Sequence, residues 1–302
     1  MDDPVPTPRR TIDIQVLTQF LNSLQSYSTD LVQRLEAGQN LFHYTSLEGA
    51  IGIIGGGDLW LTNSRFSNDD EELNLGYRVV EEILDEMDKG ADPSRHAWLR
   101  QLREKISETR VDHVYFCCFC ETDNLLSQWR GYAENGGGVS IEFDPAGFGA
   151  IAGDDSAHGL MRLWRVFYNG EQQREIVRKC VNYPYWPTPN ETDRISYIVD
   201  ALQFFMPTFK NSDFSAENER RLIFTPFPAA AVKPSFRNRR SLLVPYVKLS
   251  QLTSQTFKLP IKGILIGPSP YSALNVESTR VMLETHDYAG VQVRASTTPY
   301  RG

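Results

Sequence analysis

The 302-residue chain has little of what most function classes announce themselves by. No apolar run approaches the ~20 residues of a membrane span, because Gly, Pro or a charge interrupts each one. The first residues, Met1-Asp2-Asp3-Pro4, are acidic and lack the basic and then apolar regions of a secretory signal, so a cytoplasmic protein with no membrane partner is expected. There is no low-complexity tract and no internal repeat. Cysteines number four, three of them inside Val114–Cys120, with no second cluster to close a zinc tetrahedron. They read as small hydrophobes of a central strand. The two triple glycines, at 55–57 and 136–138, have neither the spacing of a dinucleotide loop nor a following Gly-Lys-Ser/Thr. A G-x-S-x-G elbow and an H-E-x-x-H helix are also missing, which removes the common hydrolase and zinc-protease readings.

The net charge of −7 argues against a protein that coats nucleic acid through its overall field. One local strip differs: from Lys233 through Arg237, Arg239 and Arg240 there are four cations and no acid. A solvated loop is the plain reading, with phosphate or nucleic-acid contact as the alternative.

What is present is a mixture of helical and strand periodicities. Residues 1–10 form a leader rich in Pro and charge. Apolar residues at Ile14, Leu17, Leu21, Leu24, Leu31 and Leu35 predict a helix that Gly38 ends. Phe42–Tyr44 and Leu59–Thr62 are extended, with a short helix over 47–54 between them. Leu73, Tyr77, Val80, Leu84 and Met87 mark one helix face, and a further helix starts at Ser94 and carries Trp98, Leu102 and Ile106. Strand Val114–Cys120 precedes a helix with Leu125, Trp129 and Tyr132, capped by Thr122 or Asp123. Strands follow at 139–143, 163–168, 217–225, 241–248, 261–266 and 291–296. Helices fall at 171–182, 192–210 and 272–285. Without a strict βαβ rhythm, the class is α+β with one mixed, mainly antiparallel sheet. Residues 1–38 are a leader and helix, and 39–302 a single domain.

Three segments carry more polar chemistry than a core needs. His43 and Thr45 alternate on one side of the first strand, with Asn63, Ser64, Asn68 and Asp69 downstream. Gln128-Trp129-Arg130-Gly131-Tyr132 puts an arginine and two aromatics within about one helical turn. Glu217, Glu219 and Arg221 face one side of a strand. Each also has a structural reading: a hydrogen-bonded strand histidine, aromatics packed in a core, and an exposed, cross-braced charged face.

In this combination the chain resembles the bacterial proteins grouped as domain of unknown function 2971. The resemblance rests on "FHYTS", "LWLTNSRFSNDDEE", "DNLLSQWRGYAENGGGVSIEFD", "FSAENERRLI" and "IKGILIGP", and covers about residues 40–295 in order. Asp70 stands where members commonly have Pro, so the start of that helix is less sharply defined. A second likeness concerns activity. His43 with a hydroxyl two residues on, an aromatic after a helix, and a late-strand Glu217-x-Glu219 are similar to the His-Tyr-Glu arrangement of ADP-ribosyltransferases.

That likeness implies a split sheet, NAD as substrate, and a protein or nucleic-acid acceptor. It implies Glu219 at the ribose and Glu217 toward the acceptor. Ribose and carboxamide would fall to His43 and Thr45, nicotinamide stacking to Tyr132 or Tyr44, and pyrophosphate to Arg130 or Arg221. Trp129 and Asn68 complete the NAD-binding set. A carboxylate beside an oxocarbenium-like centre is the chemistry such a reaction needs. A defence or toxin effector is the expected setting. Two alternatives stand beside it: a metal-dependent nuclease or phosphohydrolase built from His43, Asp69, Asp70 and Glu219, and a non-catalytic sensor or binding module in a defence system.

Overall fold

In a computed structural model of the chain, β1 (Leu41–Thr45) pairs antiparallel with β4 (Val139–Phe143), His43 opposite Ile141. The structure describes residues 19–20, 40–66, 72–109, 114–152, 158–186, 188, 190–226, 232–239, 241–253 and 256–299. The expected leader and N-terminal helix lie outside these residues except at 19–20, where Phe20 packs its ring against Tyr183, Trp186 and Phe205.

The other strands are β2 (Trp60–Asn63), β3 (Tyr115–Cys120), β5 (Gly159–Arg165), β6 (Glu219–Pro226), β7 (Ser235–Arg239), β8 (Leu242–Lys248), β9 (Ile261–Ile266) and β10 (Gln292–Ala295). All belong to one sheet, in the order β10-β9-β4-β1-β3-β2-β8-β7, with β6 and then β5 branching from β3. Among the described strands only the β9–β10 pair is parallel. The result is an α+β fold around a mainly antiparallel open sheet, as the mixed periodicities predict.

The branch defines the architecture. β6 pairs with β3 all along Tyr115–Cys120 and so fills one edge. The other edge must be shared: β2 holds it at Tyr115 and Phe116, and β1 holds it only at Cys120. Between those points, over Cys117, Cys118 and Phe119, β1 and β2 part and the sheet forks.

The described helices are α1 (Leu47–Gly56), α2 (Glu72–Asp88), α3 (Pro93–Glu108), α4 (Leu126–Tyr132), α5 (Pro145–Ala152), α6 (Gly170–Asn182), α7 (Glu191–Phe205) and α8 (Ser272–Thr285). The predicted apolar stripe of α2 is buried at Val80 and Leu84, with Tyr77 and Met87 partly buried, and Ile83 is buried beside it. It joins Trp98 and Leu102 of α3, Ile176 and Val177 of α6 and Ile198 and Leu202 of α7 in one helical core. A second core lies between the sheet and α1, α5 and α8, with Leu41, Ile141, Leu222 and Ile264 on the strands and Ile54, Phe148 and Leu283 on the helices. Among the described residues no helix is long and apolar enough to cross a membrane.

Several boundaries differ from the sequence reading for local reasons. α3 begins at Pro93 because Asp92, rather than Ser94, is the cap, its Oδ1 accepting from the backbone N–H of Ser94 and Arg95 at 2.8 and 3.0 Å. Neither Thr122 nor Asp123 caps α4; the N–H of Leu125 is taken by the Tyr44 hydroxyl at 2.9 Å. β5 runs over Gly159–Arg165 rather than 163–168, and α7 stops at Phe205, where a 3-10 turn containing Pro207 takes over. The basic strip is not a loop, since residues 235–239 form edge strand β7.

The second triple glycine permits a close approach of backbones. A Cβ at Gly138 would stand 2.1 Å from the Thr45 carbonyl oxygen and 3.1 Å from Ala133. Its N–H donates to Ala133 O and its carbonyl accepts from Gly267 N, each at 2.9 Å, so the segment cannot retreat. Gly138→Ala should therefore destabilise the protein by about 2–3 kcal/mol, at the upper end of overpacking effects, as read from urea unfolding midpoints.

Candidate functional site

Alternation along β6 sends Glu219, Arg221 and Ile223 to one face of the sheet and Arg220 and Leu222 to the other. The register places Glu219 opposite Cys120 and Arg221 opposite Cys118, in the most buried part of the sheet. Glu219 is 2% exposed and Arg221 is fully buried. A charge so placed requires a partner.

The partners are at hand. Arg221 Nε donates to Glu219 Oε1 at 2.7 Å and Nη2 donates to Oε2 at 3.2 Å, a two-point clamp. Lys210 Nζ donates to the same Oε2 at 2.8 Å and to Glu217 Oε2 at 2.6 Å. Glu217 Oε1 in turn accepts from the Tyr132 hydroxyl at 3.2 Å. Two carboxylates and two cations thus form one chain that ends on a phenol. Arg221 Nη1 donates to Pro207 O at 2.7 Å, and the guanidinium lies over the Phe116 ring at 4.7 Å.

Lys210 is delivered by structure outside β6. Phe167 and Phe209 form a parallel bridge, and the buried Gln173 amide of α6 donates to the carbonyls of Phe167 and Lys210 at 2.6 and 2.9 Å. Tyr168 then accepts the backbone N–H of Glu219 at 2.9 Å. Glu217 is not on the strand as expected. It ends the 3-10 turn Ser212–Glu217, and Asn218 follows in the left-handed region with φ 42°. Asn218 bonds Glu121, which also takes Arg220 Nε at 2.6 Å on the opposite face.

Electrostatics agree with the geometry. Burial alone would raise the Glu219 pKa, but Arg221 and Lys210 outweigh it and hold the carboxyl at about 2, against an ordinary 4.5. Burial raises the Tyr132 phenol, and the Glu217 carboxylate raises it further, so it remains a hydrogen-bond donor.

Of the sequence-predicted residues, Tyr132, Glu217, Glu219 and Arg221 come together. Others do not join them. Trp129 is completely buried, donates to Asn124 Oδ1 at 2.8 Å and packs edge-on to Tyr44 at 4.9 Å, which is core packing. Tyr44 spends its hydroxyl on Thr122 O, at 3.0 Å, and on Leu125 N, and burial raises its pKa. Arg130 lies on the exposed side of α4. Arg221 is engaged by Glu219 and by Pro207 O. Thr45 sits beneath the first turn of α1, its hydroxyl against Gly49. His43 alternates to the face opposite Glu219, and its Nδ1 meets Cys118 O at 2.8 Å in the fork. Asn68, with Asp69 and Asp70, falls outside the described residues. Among the described residues no group of three or more His, Cys, Asp or Glu is placed to hold a metal ion.

Sequence reasoning passed over Lys210, Tyr168 and Gln173. A lysine seven residues before Glu217 carries no local signal of the pairing, because it depends on the 3-10 turn Ser212–Glu217 that lies between them.

A family model described as "Protein of unknown function (DUF2971)" matches residues 128–222. The match supports that family, and it spans α4 to β6, so Tyr132, Lys210, Glu217, Glu219 and Arg221 all lie inside it. No curated protein and no solved structure matches the chain.

The folded-state pKa of Glu219 is depressed, so its contribution to stability is complete above about 4.5 and lost as the pH falls toward about 2. Acid unfolding should steepen in that window. Lys210→Met, which removes the shared cation, should destabilise the protein by roughly 3–5 kcal/mol at neutral pH and move the acid transition upward. Urea unfolding at a series of pH values measures both.

Proposed function

We propose that the protein is an ADP-ribosyltransferase-like enzyme that cleaves the nicotinamide glycosidic bond of NAD, working at the Tyr132–Glu217–Lys210 cluster. The observation that carries the proposal is the meeting of Tyr132 and Glu217, 85 positions apart, at 3.2 Å, beside a second glutamate held by the same lysine. An aromatic hydroxyl and paired glutamates are the residue types that the likeness calls for.

The reading exchanges the roles of the two glutamates. Glu219 has both oxygens engaged and is too deep to approach a ribose, so it serves to position Lys210 and, through it, Glu217. Glu217 keeps some exposure, and among the described residues its Oε1 is held only by a neutral phenol. A ribose hydroxyl that replaces this phenol would place the carboxylate beside C1′. As the C1′–N bond breaks, its electron pair leaves with nicotinamide and C1′ becomes oxocarbenium-like. Glu217 stabilises that charge and accepts the proton of the attacking acceptor or water.

A specific observation also favours a second reading. Lys210, Glu219 and Arg221 satisfy one another so fully that the cluster works as a structural brace, as a non-catalytic binding module would require.

Nicotinamide release from NAD by purified protein separates the two. The enzyme reading expects turnover that survives chelator and falls at least ~100-fold in Glu217→Gln, with the melting temperature nearly unchanged. Neither turnover nor NAD binding by calorimetry in the wild-type protein would end it.

A further inference from the structure

Arg221 and Arg237 lie on the same face of the sheet, and of the two only Arg221 has an acid to neutralise it among the described residues. Strand register defines that face. Thr62 of β2 stands opposite Phe116 of β3 on one side and Tyr246 of β8 on the other, and Tyr246 stands opposite Ser235 of β7. Trp60, two residues before Thr62, and Arg237, two after Ser235, return to the same face, as do Cys118 and its partner Arg221. Glu219 clamps Arg221 through two hydrogen bonds.

Arg237 has no such clamp. Its Nη2 donates to Thr62 Oγ1 at 2.8 Å. The guanidinium stands 5.7 Å from the Trp60 ring and 5.9 Å from the Tyr246 ring, close to the ~6 Å at which an aromatic face ceases to attract a cation. Its Nε is buried without an acceptor, and no other hydrogen bond and no carboxylate engages the group among the described residues. Burial, and then the charge of Arg239, lower the Arg237 pKa, the reverse of what a counter-ion would do. A partly buried cation that lacks an acid and retains spare donors is incomplete as a structural feature. The place is open to a ligand, since Arg237, Thr62 and Trp60 are each partly exposed. Tyr246, 7% exposed, stacks on Trp60 at 4.6 Å and backs it.

We propose that Arg237, Thr62 and Trp60 form a binding site for a small phosphomonoester, its phosphate on the guanidinium and the Thr62 hydroxyl and its organic group on the indole. Nη1 and the second proton of Nη2 supply the charge and the directional donors that an oxyanion takes. A carboxylate would be served by the guanidinium alone. Thr62 already accepts from Arg237, which leaves its own proton to donate, and a tetrahedral phosphate has a third oxygen to receive it. Trp60 offers a flat apolar surface beside that position, held in place by Tyr246. A long polyanion is disfavoured by the net charge of −7. The site is built on β2 and β7 and uses neither Tyr132 nor Glu217, so the proposal does not rest on NAD cleavage.

Calorimetry on the full chain with phenyl phosphate, inorganic phosphate, benzoate and a single-stranded oligonucleotide provides the test. Phenyl phosphate should bind, inorganic phosphate more weakly, and benzoate at least about tenfold more weakly than phenyl phosphate. Arg237→Gln should weaken phenyl phosphate at least about tenfold, the loss of one charge-assisted contact. Trp60→Leu should weaken phenyl phosphate and leave inorganic phosphate unchanged, with unfolding midpoints confirming that both variants fold. In proton–nitrogen NMR spectra the Trp60 indole N–H resonance should move on addition of phenyl phosphate. Absence of binding, equal affinity for benzoate or inorganic phosphate, full affinity in Arg237→Gln, an unmoved Trp60 signal, or preference for the oligonucleotide would each overturn the proposal. Binding of phenyl phosphate that persists in Glu217→Gln, whatever that variant does to NAD, keeps the two proposals separable.

Discussion

Glu219 carries a charge into a sheet interior where it is 2% exposed, and the surrounding structure is arranged around its neutralisation. Arg221 can clamp it because two residues along a strand return to the same face. Lys210 reaches it only because the chain leaves α7 at Pro207 and bridges Phe167 to Phe209. Gln173 fixes that bridge, which ties the helical layer to the sheet. Glu217 is then drawn to the same lysine, and Tyr132 to Glu217, so that α4 is joined to β6 through side chains. Each link satisfies a group that would otherwise be buried and unpaired, a condition more costly than the net gain from any one bond.

The second organising constraint is the shared edge of β3. A strand has two edges, and β6 takes one completely. β1 and β2 divide the other, and where they separate a backbone carbonyl would be left without a ladder partner. His43 supplies the missing donor from its side chain, which explains a histidine between apolar neighbours.

The sequence was most legible where its information is periodic. Val80 and Leu84 on α2, the alternation of Val139–Phe143, and the thiols of β3 as small core residues all came directly from spacing, because burial on one face repeats every 2 or 3.6 residues. Trp129 was legible too, since its place on the buried face of a short helix made core packing an even alternative. Glu217, Glu219 and Arg221 could be recognised as a group but not as buried; an alternating charged strand reads as a solvated face until β3, β5 and the helical layer cover it. The 233–240 strip reads as a loop for a related reason. Pro234 and four cations give no apolar alternation, and the pairing of β7 depends on β8 rather than on its own residues.

By itself, the sequence determined the mixed α+β class, most of the elements, and three polar segments, at His43–Thr45, Gln128–Tyr132 and Glu217–Arg221. Those follow from local geometry and residue chemistry. Only the tertiary structure decided that Lys210 joins both glutamates, that Glu219 is locked while Glu217 is nearer the surface, and that His43 turns to the other face of the sheet and bonds Cys118 O. Such choices depend on strand register and on contacts between residues from 9 to 85 positions apart, for which the local pattern carries no signal.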